Sequence, residues 1–287
     1  MRSRSGLRPI SDLYVYYCSG RITPGANPAS VDFIGNWEED GFSFLFYSQP
    51  ARQAVEELLT RQPQLTLLDE YHMSYADWLG EKPGIARIGS FTICPPWEKP
   101  PTGDGRLIVL DPGVVFGTGN HPTTRDCLAA LETIYKLETP QTVLDLGTGT
   151  GLLALAAGRL GGRRILAVDN NFLAARTAGR NVRLNRMEDA ILAIQGRAED
   201  VVQRPVDLLV ANIHYDVLQR LISADNLLDK NWFVLSGLLR SQARDVERQL
   251  AQLPVKLLRR WECEGTWYTL MGVARHQHVR SRPEGGI

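Results

Sequence analysis

No two cysteines in this 287-residue chain fall into a C-x-x-C pair; Cys18, Cys94, Cys127 and Cys263 are scattered. That spacing argues against a cysteine zinc site and offers no disulfide framework, so the expected compartment is the reducing cytoplasm. Charge of one sign is not in excess either. Lys+Arg and Asp+Glu number 32 each, so no general field draws the chain to nucleic acid or to an anionic membrane. No strong general nucleic-acid binding is therefore expected. No apolar run approaches the length that spans a bilayer, and no membrane partner is expected. The basic start, MRSRSGLRPISDLYVYYCSG, lacks the sustained apolar core of a signal peptide. Histidine is scarce, at 5 residues, and His276-x-His278 falls in a polar end stretch where a solvated pair is the simpler reading; no metal is expected.

What the chain does have is 44% hydrophobic residues, enough for a sizeable core, arranged in two styles. Residues 13–20 (LYVYYCSG) and 42–48 (FSFLFYS) alternate in the manner of half-buried strands, and LTLLDEYHM reads as another. Between them, residues 49–63 place Val55, Leu58 and Leu59 at helical spacing, closed by Pro63. Residues 1–72 are thus expected to form a small α+β unit, and 73–104 a Gly- and Pro-punctuated linker with lead-in strands. Residues 105–276 are expected to form the main domain and 277–287 a flexible tail. In the main domain continuous apolar runs (TVLDLG, RILAVD, AILAIQG, VDLLVAN, WFVLSG) alternate with helical stretches. Such runs suit a parallel sheet covered on both faces. The run 255–275 adds an antiparallel hairpin, giving a Rossmann-like α/β domain of seven strands with a small N-terminal α+β domain.

The glycine loop VLDLGTGTG supplies the first chemical clue. Gly147, Gly149 and Gly151 allow close backbone approach to a ligand; a tight turn that binds nothing is the bland alternative. A dinucleotide fingerprint counted from Gly147 requires glycine at 152, where Leu152 stands, and counting from Gly149 meets Ala154. Neither loop ends in Gly-Lys-Ser/Thr, which excludes a P-loop. Asp169 ends the next strand about twenty residues on, the place of a carboxylate that accepts from ribose hydroxyls. Capping the following helix is its alternative role, one that Asn170 and Asn171 can also fill. S-adenosyl-L-methionine has the ribose without the pyrophosphate, and fits both features. Asn212 ends the fourth strand, where it either faces the ligand or caps the helix that starts near Tyr215. In amino-group methyltransferases an Asn or Asp here holds the acceptor nitrogen.

Taken together, ICPPWEKP, LDPGVVFGTGNHPTT, VLDLGTGTGLLALAAGRLG, VDNNFLAARTAGRNVRLN, VANI, LSGLLRSQA and EGTWYTLMG resemble one family. It is the methyltransferases of large-subunit ribosomal protein L11, and the likeness covers about the last two hundred residues. The segment FGTG-x-HPTT is its most specific part. The resemblance implies S-adenosylmethionine as cofactor, contacted by Thr124, Gly147, Asp169 and Asn212. It also implies a protein substrate, a ribosomal protein methylated on lysine and α-amino groups. The two loops then serve one ligand, with Thr123 or Thr124 also free to cap the helix after Pro122. His121 is expected to shape the loop or touch substrate, not to act as a base. Departures are Asn120, Asn171, His214 and Tyr215, and the family's first helix, for which residues 19–41 hold too many Gly and Pro. Of the family's paired linker tryptophans Trp78 stays, with Ser74 at the other place. A methyltransferase for another protein, RNA or a small molecule, an NAD oxidoreductase, and a non-catalytic binding module are the rival readings.

Overall fold

The computed structural model describes residues 10–23, 26, 28, 30–80, 84–103 and 106–274. The expected tail of 277–287, with His278, lies outside them, as does His276.

The aromatic alternation near the start becomes a sheet with two dry faces. Strands β1 (Asp12–Ser19), β2 (Phe33–Glu39), β3 (Phe42–Tyr47) and β4 (Thr66–Ser74) pair antiparallel in the order β2-β3-β1-β4, and helix α1 (Arg52–Arg61) connects β3 to β4. Successive strand residues point to opposite faces. Tyr16, Cys18, Leu45 and Tyr47 therefore meet Val55 and Leu58 of α1 on one side. Leu13, Val15 and Phe46 point the other way and pack with Tyr75, Val114, Val115, Leu173 and Ala174. Strand β2 is concealed in the sequence by the Gly- and Pro-rich stretch around it. Its signal is Asp40-Gly41, whose φ angles of 49° and 86° make the two-residue turn that hairpins favour.

The segment read as a linker is more structured than its Gly and Pro content suggests. It holds α2 (Tyr75–Leu79), capped by Ser74 accepting from the Asp77 N–H at 3.0 Å, then β5 (Ala86–Ile88) and β6 (Phe91–Cys94). With β7 (Arg106–Val109) these strands form a three-stranded sheet, β5-β6-β7, under helix α3 (Pro122–Leu137).

The remainder alternates as expected: β8 (Thr142–Leu146), α4 (Leu152–Leu160), β9 (Arg164–Asp169), α5 (Phe172–Leu184), β10 (Ile191–Gln195), α6 (Ala198–Val201) and β11 (Val206–Asn212). Then come α7 (Tyr215–Leu221), α8 (Ala224–Leu227), β12 (Lys230–Leu239), α9 (Arg240–Ala251), β13 (Val255–Cys263) and β14 (Trp267–Ala274). The helix expected to start near Tyr215 is followed, after a break, by a second short one. Ile222 adopts an extended conformation, and Ser223 starts a new turn by accepting from the Asn226 N–H.

The large sheet runs β10-β9-β8-β11-β12-β14-β13, with β8 to β12 mutually parallel and β14 antiparallel to both its neighbours, β12 and β13. From β8 the chain first steps outward to β9 and β10, then returns to the other side as β11. The carboxyl ends of β8 and β11 consequently open a crevice, the place where ligands bind in open α/β sheets. No helix among the described residues is long and apolar enough to cross a membrane.

Helix α5 anchors the approach to that crevice through two buried amides. Asn181 Nδ2 donates to the Asp111 carbonyl (2.9 Å) and the Thr150 carbonyl (2.8 Å), and its Oδ1 accepts from the Asp111 N–H (2.8 Å). Asn185 treats Val109 the same way, at 2.9 and 2.6 Å. Asn181→Ala leaves these buried groups unpaired, and we expect a loss of about 3 kcal/mol in urea unfolding. A loss below about 1 kcal/mol would show that the bonds are dispensable.

Candidate active site

The glycine loop between β8 and α4 is built on left-handed backbone, with φ of 67°, 55° and 83° at Gly147, Gly149 and Gly151. Neighbouring protein atoms add to the demand. A Cβ on Gly147 would sit 2.2 Å from Ile213 Cγ2, and one on Gly149 would sit 2.3 Å from the Phe116 carbonyl oxygen. The two glycine-rich loops of the sequence interlock at this point. The Thr150 N–H donates to the Phe116 carbonyl (3.0 Å), and the Thr150 hydroxyl donates to the Gly117 carbonyl (2.6 Å).

Asp169 stands at the carboxyl end of β9, 8% exposed. One carboxylate oxygen accepts from the Gly149 N–H and the other from the Asn171 N–H, each at 3.0 Å. Capping α5 falls to Asn171, whose Oδ1 accepts from Leu173 and Ala174. Asp169 is therefore not the cap, and its remaining lone pairs are available at the crevice. Burial pushes its carboxyl above the usual range, against the pull of the two N–H donors.

Asn212 ends β11 opposite Ser236 of β12. Helix α7 takes His214 as its N-cap residue, so Asn212 does not cap it. Gly237, at φ 85°, leaves room beside it: a Cβ there would lie 2.7 Å from the Ile213 carbonyl and 3.3 Å from Asn212 Oδ1. The Ser236 hydroxyl in turn sits 2.5 Å from that of Thr269.

The cap of α3 differs from the sequence expectation. Its N-cap residue is His121, with Thr123 and Thr124 inside the first turn. His121 Nδ1 accepts from the Thr123 N–H (3.4 Å) and contacts the Thr123 hydroxyl (2.8 Å). Desolvation lowers the imidazole pKa, which favours the neutral ring that such an acceptor role requires. The ring stands edge-on to Phe116 and Trp267, with centroids 5.2 and 4.7 Å away. Thr124 is buried, and its hydroxyl oxygen has no hydrogen-bond partner among the described residues. A buried polar atom of this kind, near the sheet's carboxyl edge, is what a bound ligand would satisfy.

One polar residue was not read from the sequence as part of the site. Asp145 lies fully buried in β8 beneath the glycine loop, where it accepts from the Thr148 hydroxyl at 2.6 Å. Its signal is a carboxylate inside an otherwise apolar strand. Burial raises its pKa to about 6, opposed by the Thr148 hydroxyl and the Ala154 N–H. Together with Asp169 it makes this end of the crevice acidic, and neither loop contributes a Lys or Arg. That donor set fits a ribose-bearing cation and does not suit a pyrophosphate.

A doubly wound sheet closed by an antiparallel hairpin, with the glycine loop and an Asn at its switch point, is a Rossmann-like methyltransferase fold. The solved ribosomal protein L11 methylase from Lactobacillus delbrueckii subsp. bulgaricus matches it with a TM-score of 0.57 at 31% identity, covering 67% of this chain and 100% of that one. The family model for ribosomal protein L11 methyltransferase (PrmA) matches residues 56–275, and the chain belongs to that family. Among relatives described as ribosomal protein L11 methyltransferase, that of Myxococcus xanthus is 34% identical over 240 residues, 82% of this chain and 79% of its own. That of Desulforamulus reducens is 37% identical over 182 residues, 62% of this chain, and the match spans only 58% of the relative's length.

Asp145 gives a test of the buried charge. Its folded pKa near 6 lies above the value of about 3.9 expected in the unfolded chain, so the folded state holds the extra proton between them. Its contribution to stability is therefore fully present below about pH 4 and lost as pH rises through about 6. The stability difference between wild type and Asp145→Asn, from urea midpoints, should shift in favour of the variant across that interval. A difference independent of pH would overturn the assignment.

Proposed function

We propose that this chain is an S-adenosyl-L-methionine-dependent N-methyltransferase acting on lysine and α-amino groups of large-subunit ribosomal protein L11, in the cytoplasm. The observation that carries the reading is the meeting of the Asp169-tied glycine loop with the Ile213 side chain and the Asn212 carbonyl at the switch point of the sheet. Family membership supports the substrate. In this reading residues 105–276 form the catalytic domain and residues 1–72 the substrate-facing unit, joined through 73–104.

Bound adenosylmethionine supplies a methyl group already activated by a cationic sulfur. Asp169 is assigned to the ribose hydroxyls, and Gly147, Gly149, Gly151 and Thr124 to the rest of that ligand. Asn212 and the neighbouring backbone carbonyl orient the incoming amine so that its lone pair faces the methyl group. A free lysine has a pKa of about 10.4, so presenting it neutral near pH 7.4 costs roughly 4 kcal/mol. Drawing the ammonium out of water, next to another cation, lowers that cost. His121 is left to hold the loop as a neutral cap, with no part as a base. Positioning of the two reactants supplies up to about 7–11 kcal/mol in ideal cases.

Two variants test these roles. Asp169→Ala should lose at least a hundredfold in adenosylmethionine affinity by calorimetry. Asn212→Ala should lower kcat for methyl transfer to recombinant L11 at least a hundredfold at saturating cofactor, beyond whatever cofactor affinity it loses through its own contact with that ligand. Wild-type cofactor affinity in the first variant, or unchanged kcat in the second, refutes the corresponding role. Absence of labelled methyl on L11 with the wild-type chain refutes the substrate.

A further inference from the structure

The loop of residues 114–121 has a second side. One side grips the glycine loop through the Phe116 and Gly117 carbonyls. The other walls a groove of about 540 Å³ between the N-terminal sheet and α2, lined by Trp37, Phe44, Phe46, Trp78, Val115 and Phe116. A smaller cavity of about 130 Å³ continues it past Leu79, Thr118 and Asn120 to Ile85. Large apolar side chains stay in water along this path: Trp78 is 39% exposed, Ile85 40% and Phe116 51%. Contiguous exposure of this kind marks a binding surface, where isolated apolar residues would not. Trp78 is held ready by an edge-on contact with Phe46, ring centroids 5.1 Å apart.

The charges beside the groove select among occupants. Glu39 lines it, and Asp40 is exposed next to it at the tip of the β2–β3 hairpin. An acidic rim on an aromatic floor repels a polyanion such as RNA and favours a basic polypeptide. One loop separates the groove from the crevice where the acceptor amine is proposed to react. An extended chain advances about 3.3–3.6 Å per residue, so a few residues suffice to pass one loop.

We propose that this groove seats a large apolar side chain of the methyl-accepting protein, carried within a few residues of the target amine on a basic segment. The inference rests on the methyltransferase reading above and adds a specificity determinant to it. Trp37 and Trp78 supply the apolar contact, and Glu39 the charge contact, outside the groups assigned to cofactor and amine.

The test uses the full chain, S-adenosylmethionine with a labelled methyl group and recombinant L11. Trp78→Ala should raise KM for L11 at least tenfold, with kcat within threefold and cofactor affinity unchanged. Glu39→Lys should raise KM and weaken its dependence on salt. Trp78→p-benzoylphenylalanine, irradiated with L11, should cross-link within about five residues of a methylated amine, as located by mass spectrometry. If wild type methylates L11 but KM is unmoved, or the cross-link maps to a distant part of L11, to a second copy of this chain or nowhere, the groove proposal fails and the methyltransferase reading stands. If wild type transfers no methyl to L11, both fall.

Discussion

Two asparagine side chains do for this protein what an additional strand would do in a sheet. Asn181 on α5 and Asn185, which caps its C-terminus, are one helical turn apart, and each exchanges a donor and an acceptor with the main chain at Asp111 and Val109. The geometry works because four residues of helix advance about 6 Å and two residues of extended chain about 6.6 Å. The helix thus matches the strand's repeat over this short distance. The third bond of Asn181, to the Thr150 carbonyl, draws the glycine loop into the same unit. From Asp111 the chain runs directly into the loop that meets Phe116 with Thr150. Asn171, at the other end of α5, fixes the turn that aims Asp169.

Much of this was legible because it is local. A continuous apolar run, a glycine turn, a helix and an acid after the next strand form one repeating grammar, and it placed Gly147, Asp169 and Asn212 at the crevice. The seven-stranded sheet, parallel with a closing hairpin, followed from the same alternation. What the sequence concealed depends on contacts between distant segments. The identity of the α3 cap turns on where His121 finds Phe116 and Trp267, which no local spacing encodes. The glycines were read as room for a ligand, whereas Ile213 and Phe116 occupy much of that room from 66 and 33 residues away. Strand β2 was hidden by its surroundings, although Asp40-Gly41 announces its turn.

Charge shapes the crevice as much as shape does. Two buried carboxylates, Asp145 and Asp169, sit within one loop of each other, and both are pushed toward protonation by burial. Such groups are costly to ionise in an apolar setting and become less so when a cation lies nearby. The fold therefore carries an electrostatic deficit that a positively charged ligand relieves. The absence of Lys and Arg from both loops makes the same preference visible from the opposite direction.

The loop from Val114 to His121 is a partition between the crevice and the groove. Its carbonyls are committed to the glycine loop and its Val115 and Phe116 to the aromatic groove, so any tilt that improves one fit alters the other. Equilibrium thermodynamics then makes the bargain symmetrical: whatever free energy a guest in the crevice gains or loses through that tilt, a guest in the groove gains or loses in equal measure. The coupling between the outer face and the inner one is then a single quantity, carried by eight residues of backbone.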